Sequence, residues 1–236
     1  MECICLAGGL GTRLRPLLPD TPKCLAPVAG RAFLDILAER LRIQGVTRLI
    51  LALGHGHDKV IAHIRDRDYG MSVDTNVEPE PLGTAGALRL ALPLATADEV
   101  IVVNGDTWYE ADIAALMAHH RARAADVTLA LKPMADAGRY GRVALADGWV
   151  TGFAEKDGSG PGLVNGGVYV VSRGIDIPRH GSFERDHLAM PGHRIAGLVQ
   201  DVPFTDIGVP ADYLAFTHRH TARPEGPTPD HDPHHA

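Results

Sequence analysis

The residues with the clearest chemical potential lie in the segment from Leu6 to Pro16. There an apolar run leads into a loop that contains three glycines, a threonine and two arginines. Glycines let backbone N–H groups turn toward an anion, and Arg13 adds a planar, permanently charged donor, so the loop suits a polyphosphate. Its spacing, GGxGTR, is neither the GxGxxG of dinucleotide folds nor the GxxxxGK[ST] of P-loops. A plain glycine-rich turn remains the alternative.

Lys23 offers a second cation a short distance along the chain. It follows Pro22 in a mostly apolar segment that ends at Val28, and the neighbouring prolines restrict where its ammonium can reach. Its distance from the glycine loop suits a second phosphate contact. Taken alone, it could equally be an ordinary surface lysine.

Two aspartates, Asp106 and Asp206, each follow an apolar run. In open α/β sheets, ligands collect at the carboxyl ends of strands. A carboxylate at that position suits a Mg²⁺ ion that keeps most of its waters. The alternative role for each aspartate is a helix N-cap.

Shorter motifs complete the set of candidate binding residues. Small residues from Pro81 to Ala87 let a flat ligand such as a base approach closely, or they only permit tight helix packing. Glu155 could accept hydrogen bonds from sugar hydroxyls and Lys156 could contact a phosphate, although both could be exposed strand-end charges. The remaining two motifs are Tyr140-Gly141 and Asn165-Gly166-Gly167, whose paired glycines suggest a bulge or a close backbone approach.

The elements that must position these residues alternate between strand and helix in the first half of the chain. Apolar spacing predicts strands at 3–6, 48–53, 72–78 and 99–103, and helices at 33–44, 59–65, 84–94 and 111–123. Strands separated by helices of this length imply a mostly parallel sheet with helices on both faces.

The second half changes character. It predicts strands at 127–131, 142–146, 149–153 and 164–171, a helix that starts at Ser182, and a closing helix at 211–220. The short turns between these strands suggest antiparallel ribbons laid against the parallel core. We therefore expect one α/β domain at 1–220, Rossmann-like, with a mixed, mostly parallel sheet, helices on both faces and a small antiparallel ribbon insertion. Residues 221–236, which have little to bury, should form a disordered tail.

Composition narrows the class of function. Of the 236 residues 45% are hydrophobic and 22% charged, which is ordinary for a soluble enzyme. The net charge of −6 argues against a nucleic-acid partner, and no apolar run is long enough to span a membrane. The three cysteines lack zinc spacing, and the N-terminus lacks a secretory signal. We expect a cytoplasmic protein, for which an oligomer is possible.

Together the motifs resemble those of the sugar nucleotidyltransferase family. The matching segments, which keep the family order to about His220, are GGLGTRLRP at 8–16, PK at 22–23, PLGTAGA at 81–87, NGD at 104–106, EK at 155–156, NGG at 165–167 and DIGVP at 206–210. Within the family, PKCLAPV, RYG at 139–141 and SFE at 182–184 are most similar to the group that guanylylates D-glycero-α-D-manno-heptose 1-phosphate. The resemblance implies the nucleotide-diphospho-sugar transferase fold.

The resemblance also implies a role for each motif. The nucleotide-binding residues would be Leu6, Ala7, Gly8, Gly9, Gly11, Thr12, Arg13, Gly83, Thr84 and Asn104. The sugar-phosphate-binding residues would be Tyr140, Gly141, Glu155, Lys156 and Asn165. Asp106 and Asp206 would hold Mg²⁺, and the catalytic residues would be Arg13, Lys23 and Asp106.

The implied reaction is in-line attack by a sugar 1-phosphate oxygen on the α-phosphorus of a nucleoside triphosphate, with GTP favoured, which releases pyrophosphate. No protein nucleophile is needed, because the attacking phosphate is already ionised near neutral pH. The open alternatives are mannose 1-phosphate with GTP, another sugar 1-phosphate with UTP, and a non-catalytic nucleotide-sensing subunit. The segment from Ser172 to Gly181 is very short, so we expect the rim of the sugar pocket to be trimmed. The motifs therefore define the reaction type better than the identity of the sugar.

Overall fold

The computed structural model describes residues 1–154 and 159–221. The strands in these residues are β1 (Glu2–Leu6), β2 (Pro27–Val28), β3 (Arg31–Ala32), β4 (Arg48–Leu53), β5 (Ser72–Val77), β6 (Glu99–Asn104), β7 (Thr107–Tyr109), β8 (Val127–Met134), β9 (Arg142–Ala146), β10 (Trp149–Ala154), β11 (Gly162–Ser172), β12 (Ile195–Val199) and β13 (Phe204–Asp206). The α-helices are α1 (Phe33–Ile43), α2 (His57–Ile64), α3 (Gly83–Ala91), α4 (Ile113–Arg123) and α5 (Pro210–Thr221). Two 3₁₀ turns, Lys23–Leu25 and Leu92–Leu94, and a π-helix, Phe183–Leu188, complete the described elements.

Nine of the described strands form one mixed sheet in the order β5-β4-β1-β6-β11-β8-β12-β10-β9. Strands β5, β4, β1 and β6 are parallel neighbours, so their carboxyl ends reach the same edge of the sheet. Strand β11 then runs antiparallel to β6, which reverses the direction within the sheet. The expected α/β fold with a mixed sheet is confirmed, and the antiparallel pairings lie beyond β6.

The second half of the chain differs from the expectation of ribbons laid against the core. Strands β8, β11 and β12 continue the main sheet in its own plane, because β8 and β11 are apolar enough to be buried along most of their length. Only β9 and β10 form an antiparallel ribbon, at the far edge of the sheet. Strands β7 and β13 pair with each other outside the main sheet, and three residues each are too few to show a periodic pattern.

The predicted helices form with bounds that shift by a few residues, except that Ser182 starts a π-helix rather than an α-helix. The described part of the chain contains no helix that is both long and apolar enough to cross a membrane. The tail predicted at 221–236 lies outside the described residues, apart from Thr221, which ends α5.

Strand β1 lies in the middle of the core and is buried on both faces. Cys3 and Cys5 face a cluster that also contains residues of α1, α4 and α5. Ile4 and Leu6 point to the opposite face, where they pack in a cluster with α3. This alternation is that of a strand covered on both sides, and it holds the carboxyl end of β1 rigidly at the edge where the candidate residues converge.

Glu2 is a buried carboxylate that ties the start of β1 to the segment before β6. It accepts hydrogen bonds from the backbone N–H groups of Thr96 and Ala97, both at 2.6 Å, and lies 2.8 Å from the Arg48 guanidinium. Burial raises the pKa of this carboxyl, but the hydrogen bonds from Ala97, Arg48 and Thr96 together outweigh burial and bring its pKa to about 2.

We predict that Glu2→Gln lowers the free energy of unfolding by about 2–3 kcal/mol at pH 7. The folded-state pKa, about 2, lies below the ordinary value of 4.5. The stabilisation is therefore present above pH 4.5 and is lost as the pH falls toward 2, so the difference from wild type should shrink over that window. Denaturant unfolding at several pH values measures it.

The matched control is Glu39→Gln, which removes an exposed ion pair with Arg31. Its effect should stay within about 0.5 kcal/mol, because exposed pairs contribute little. A difference between Glu2→Gln and wild type that stays constant from pH 7 to pH 3 would contradict the assignment.

Candidate active site

The carboxyl edge of the parallel strands brings the sequence motifs together. Leu6, at the end of β1, lies in register between Ala52 of β4 and Asn104 of β6. The glycine loop after β1 therefore lies beside the turn after β4 and beside the Asn104–Asp106 turn after β6. Because β11 runs antiparallel to β6, Asn165, in the first half of β11, reaches the same edge.

A cavity of about 860 Å³ lies over this edge, a volume typical of small-molecule sites. The predicted site residues that line it are Leu6, Ala7, Gly8, Gly9, Arg13, Lys23, Gly83, Thr84, Asn104, Asp106, Tyr140, Gly141, Asn165 and Asp206. Motifs far apart in the sequence therefore share one concave surface.

The other predicted residues lie elsewhere. Gly11 lines a smaller cavity of about 220 Å³ on the other side of the loop, and Thr12 is exposed and lines neither cavity. The chain turns away at Gly11, which has a φ of +66° and accepts hydrogen bonds from the N–H groups of Leu14 and Arg15. Glu155 and Lys156 lie outside the described residues.

Lys23 and Asp106 form an ion pair at the centre of the cavity. The Lys23 ammonium lies 2.9 Å from Asp106 Oδ2, and only 16% of the lysine side chain is exposed. The 3₁₀ turn that begins at Lys23 fixes its backbone, and the side chain passes close to Gly11. The restricted position expected for Lys23 is therefore present, and its ammonium is held at the end of β6.

Asp206 lies close to the same pair. A side chain added to Gly208 would come within 3.2 Å of Asp206 Oδ1, Lys23 Nζ and Asp106 Oδ2, which places these three groups around one point. Burial raises the pKa of Asp206, and the charge of Asp106 raises it further, while Arg13 and Lys23 lower it. The Arg13 guanidinium is 3.7 Å away, too far for a hydrogen bond.

Neither aspartate is a helix N-cap. Helix α4 is capped by Asp112, whose side chain accepts from Ala115 N–H, and Asp206 instead accepts from the Gly208 N–H at 2.9 Å. Two carboxylates that repel each other at strand ends suit a divalent cation that completes its shell with water and substrate phosphates. No third Asp, Glu, His or Cys joins them among the described residues, so a cage built from protein alone does not form there.

Glu78, which the sequence did not point to, forms the opposite end of the cavity. Its Oε1 lies against the backbone of Gly8 and Gly54, so close that a side chain on Gly54 would collide with it. Its Oε2 accepts a hydrogen bond of 3.1 Å from Leu82 N–H. A carboxylate therefore faces the cavity between the glycine loop and the loop of small residues before α3. No sequence signal separates Glu78 from an ordinary residue after an edge strand.

Another part of the wall carries neutral polar groups and aromatic rings. Asn104 Oδ1 is buried and has no hydrogen-bond partner among the described residues, so it is ready to accept a donor from a ligand. Asn165, on the neighbouring strand β11, also lines the cavity. The Tyr140 ring packs edge-on against Phe204 with centroids 5.6 Å apart. These groups suit a polyhydroxylated ligand.

A model of the nucleotidyl transferase family matches residues 2–185 of this chain. The D-glycero-alpha-D-manno-heptose 1-phosphate guanylyltransferase of Aneurinibacillus thermoaerophilus is 38% identical over 219 residues, which cover 90% of this chain and 95% of that protein. The enzyme of the same name from Campylobacter jejuni is 34% identical over 222 residues, 92% of this chain and 98% of that protein.

One solved structure is similar to this chain in both fold and sequence. HddC from Yersinia pseudotuberculosis, in a crystal structure complexed with GMP-PN, superposes with a TM-score of 0.83 at 34% identity. The match covers 92% of this chain and 98% of that chain. These comparisons agree with the resemblance carried by the sequence motifs.

We predict that Gly9→Ala leaves thermal stability within about 2 °C of wild type but weakens GTP binding about tenfold. A side chain at Gly9 would meet no protein atom within 4 Å, so the fold tolerates it, but it would project toward the cavity where phosphates would approach the backbone. Calorimetry measures both quantities.

Gly174→Ala is the matched control, because Gly174 also has open space around it and does not line the cavity. It should change neither quantity. Equal GTP affinity for Gly9→Ala and wild type would place the phosphates away from the glycine loop.

Proposed function

The chain belongs to the nucleotidyl transferase family, and on that premise we propose that it transfers the guanylyl group of GTP to D-glycero-α-D-manno-heptose 1-phosphate, with release of pyrophosphate. The observation that carries the reaction type is the cluster of Lys23, Asp106 and Asp206 beside the glycine loop. Phosphoryl and nucleotidyl transfer need alignment and neutralised charge, and this cluster is suited to provide both.

The protein groups have distinct tasks in this reaction. Backbone N–H groups of the glycine loop and the Arg13 guanidinium bind the triphosphate, while Lys23 neutralises charge near the α-phosphate. An oxygen of the sugar 1-phosphate attacks the α-phosphorus in line, and the bond from that phosphorus to the pyrophosphate oxygen breaks. No side chain has to act as a nucleophile, since the attacking phosphate is already an anion near neutral pH.

Magnesium is the proposed cofactor, and Asp106 and Asp206 are the residues that would hold it. When bound, Mg²⁺ neutralises phosphate charge and orients the oxygens around the α-phosphorus. The two aspartates supply the negative charge that would attract the ion, and the Lys23 ammonium pairs with one of them, Asp106.

Glu78 supports guanine as the base. Guanine presents two neighbouring donors, N1–H and the N2 amino group, which match the two oxygens of a carboxylate. Uracil and thymine present a single N–H between two carbonyl oxygens, and those oxygens would face a negative charge. Because Glu78 lies in the cavity beside Gly8, it favours GTP over UTP.

The sugar 1-phosphate would occupy the wall formed by Asn104, Tyr140 and Asn165, and Glu155 and Lys156 are proposed to complete this subsite. Its identity rests on the names of the relatives, and mannose 1-phosphate is the competing substrate. Retention of Arg13 and Lys23 beside the two aspartates argues against a sensing subunit without activity. We further propose a single catalytic domain over residues 1–220 that works in the cytoplasm without a nucleic-acid or membrane partner, with the 221–236 tail dispensable.

The test is a pyrophosphate-release panel in which GTP, UTP, ATP and dTTP are each combined with the heptose, mannose and glucose 1-phosphates. We predict the highest kcat/KM for GTP with D-glycero-α-D-manno-heptose 1-phosphate. A higher kcat/KM for any other pair would overturn the assigned substrates, and turnover with no pair would overturn the reaction.

A variant tests the base assignment within the same panel. Glu78→Gln should lower kcat/KM for GTP about tenfold or more, because guanine loses one of its two acceptors, and should affect UTP much less. Glu80→Gln is the matched control, since Glu80 lies in the same loop, is exposed and does not line the cavity. Equal losses for GTP and UTP would show that Glu78 does not read the base.

A further inference from the structure

Glu184 is a half-buried carboxylate on the cavity wall that the reaction described above does not use. Three hydroxyl groups from three elements converge on it. Its Oε1 accepts a 2.6 Å hydrogen bond from the Tyr169 hydroxyl. Its Oε2 accepts from the Ser182 hydroxyl at 3.0 Å and from the Thr84 hydroxyl at 3.3 Å. The carboxylate therefore joins β11, α3 and the start of the π-helix.

Each of these three hydroxyls also accepts a hydrogen bond from an N–H group. Tyr169 accepts from the Asn165 amide nitrogen at 2.6 Å, and the side chain of Asn104 on β6 also donates a hydrogen bond to it. The other two hydroxyls, on Thr84 and Ser182, accept from the backbone N–H groups of Phe183 at 2.8 Å and Arg185 at 3.1 Å. An N–H group can only donate and an ionised carboxylate can only accept, so every hydroxyl in the cluster has one allowed orientation.

The chain through Tyr169 ends on Asn165, a residue proposed to contact the sugar. Tyr169 is fully buried, and burial together with the Glu184 charge raises the pKa of its hydroxyl well above the usual value, so the phenol keeps its proton. The Asn165 amide must then turn its NH₂ group toward Tyr169. Its carbonyl oxygen accepts from the Gly167 N–H at 3.0 Å, which requires the same orientation.

The chain through Thr84 ends on the other substrate's side of the cavity. Thr84 is the second residue of α3 and follows Gly83, which lines the cavity near Glu78. The hydrogen bond from Phe183 N–H to Thr84 holds the start of α3 against the π-helix. Glu184 thus contacts both subsites through different hydroxyls.

We propose that Glu184 is a positioning residue that, through Tyr169 and together with the Gly167 N–H group, holds the Asn165 amide in the orientation in which it meets the sugar 1-phosphate. The proposal rests on the function assigned above. Glu184 needs no contact with the substrate in this role, because its negative charge sets the direction of the hydrogen bonds that lead to Asn165.

The substitution Glu184→Gln keeps the shape of the side chain but replaces one acceptor oxygen with an NH₂ group, which can only donate. The oxygen that the new amide retains should face Thr84 and Ser182, which present two donors, so its NH₂ group would face Tyr169. The Tyr169 hydroxyl would then have to donate toward Asn165 or Asn104, and the NH₂ groups that these two amides present to it cannot accept. Glu184→Gln and Tyr169→Phe should therefore disturb the same arm of the cluster, and Thr84→Val the other.

The experiment measures KM for each substrate in the pyrophosphate-release assay with the full chain. Glu184→Gln and Tyr169→Phe should each raise KM for the sugar 1-phosphate about tenfold while KM for GTP stays within about twofold. Thr84→Val should raise KM for GTP and leave the sugar value nearly unchanged. Calorimetric GTP binding by each variant shows that the protein is folded.

Glu99→Gln is the control, a partly exposed carboxylate at the opposite end of β6 that pairs with Arg121, and it should leave both KM values unchanged. The proposal is overturned if Glu184→Gln and Tyr169→Phe raise both KM values equally, lower kcat alone or behave as wild type. If wild type is inactive with the heptose phosphate, the best pair of the panel is used. If wild type turns over no combination of nucleotide and sugar 1-phosphate in the panel, both the assigned function and the proposal for Glu184 are overturned.

Discussion

Two like charges held side by side are the constraint around which the site is built. Asp106 and Asp206 lie at the ends of β6 and β13, and the backbone hydrogen bond from Ile207 N–H to Asp106 C=O, 3.0 Å long, holds the two turns together. Their mutual repulsion contributes to the raised pKa of Asp206, and Lys23 compensates part of it. Two carboxylates this close together lower the stability of the fold, and such an arrangement is typical of sites that bind a cation together with anionic ligands.

The other walls of the cavity follow from the same edge of the sheet. Glycines occupy the places where carboxylates approach the backbone, since a side chain on Gly54 would meet Glu78 and one on Gly208 would meet Asp206. The cavity therefore presents Lys23, Arg13 and backbone N–H groups near Asp106 and Asp206, and the Glu78 carboxylate beside Gly8 and Gly54. On β11, the Asn165 amide donates to the buried Tyr169 hydroxyl, which in turn donates to Glu184.

Local patterns predicted the elements and their order well, because β1, β4 and β6 are apolar strands whose ends carry unusual residues. They identified Lys23, Asp106 and Asp206 but not the distances between them. Glu78 and Tyr169 were missed because their roles depend on contacts with distant segments, such as the bond from Tyr169 to Glu184. The place of β11 inside the main sheet was missed for a similar reason, since an apolar strand does not show which strand it pairs with. The family resemblance compensated for part of this and is confirmed by the comparisons.

The proposed chemistry requires that the two aspartates bind a cation together with the triphosphate. Calorimetric titration of GTP with and without Mg²⁺ tests it directly, in wild type and in Asp206→Asn, with Asp201→Asn as a control that removes an exposed carboxylate and its ion pair with Lys132. We expect Mg²⁺ to tighten GTP binding at least about tenfold in wild type and in the control, and to lose most of that effect in Asp206→Asn. An unchanged Mg²⁺ effect in Asp206→Asn would contradict the account.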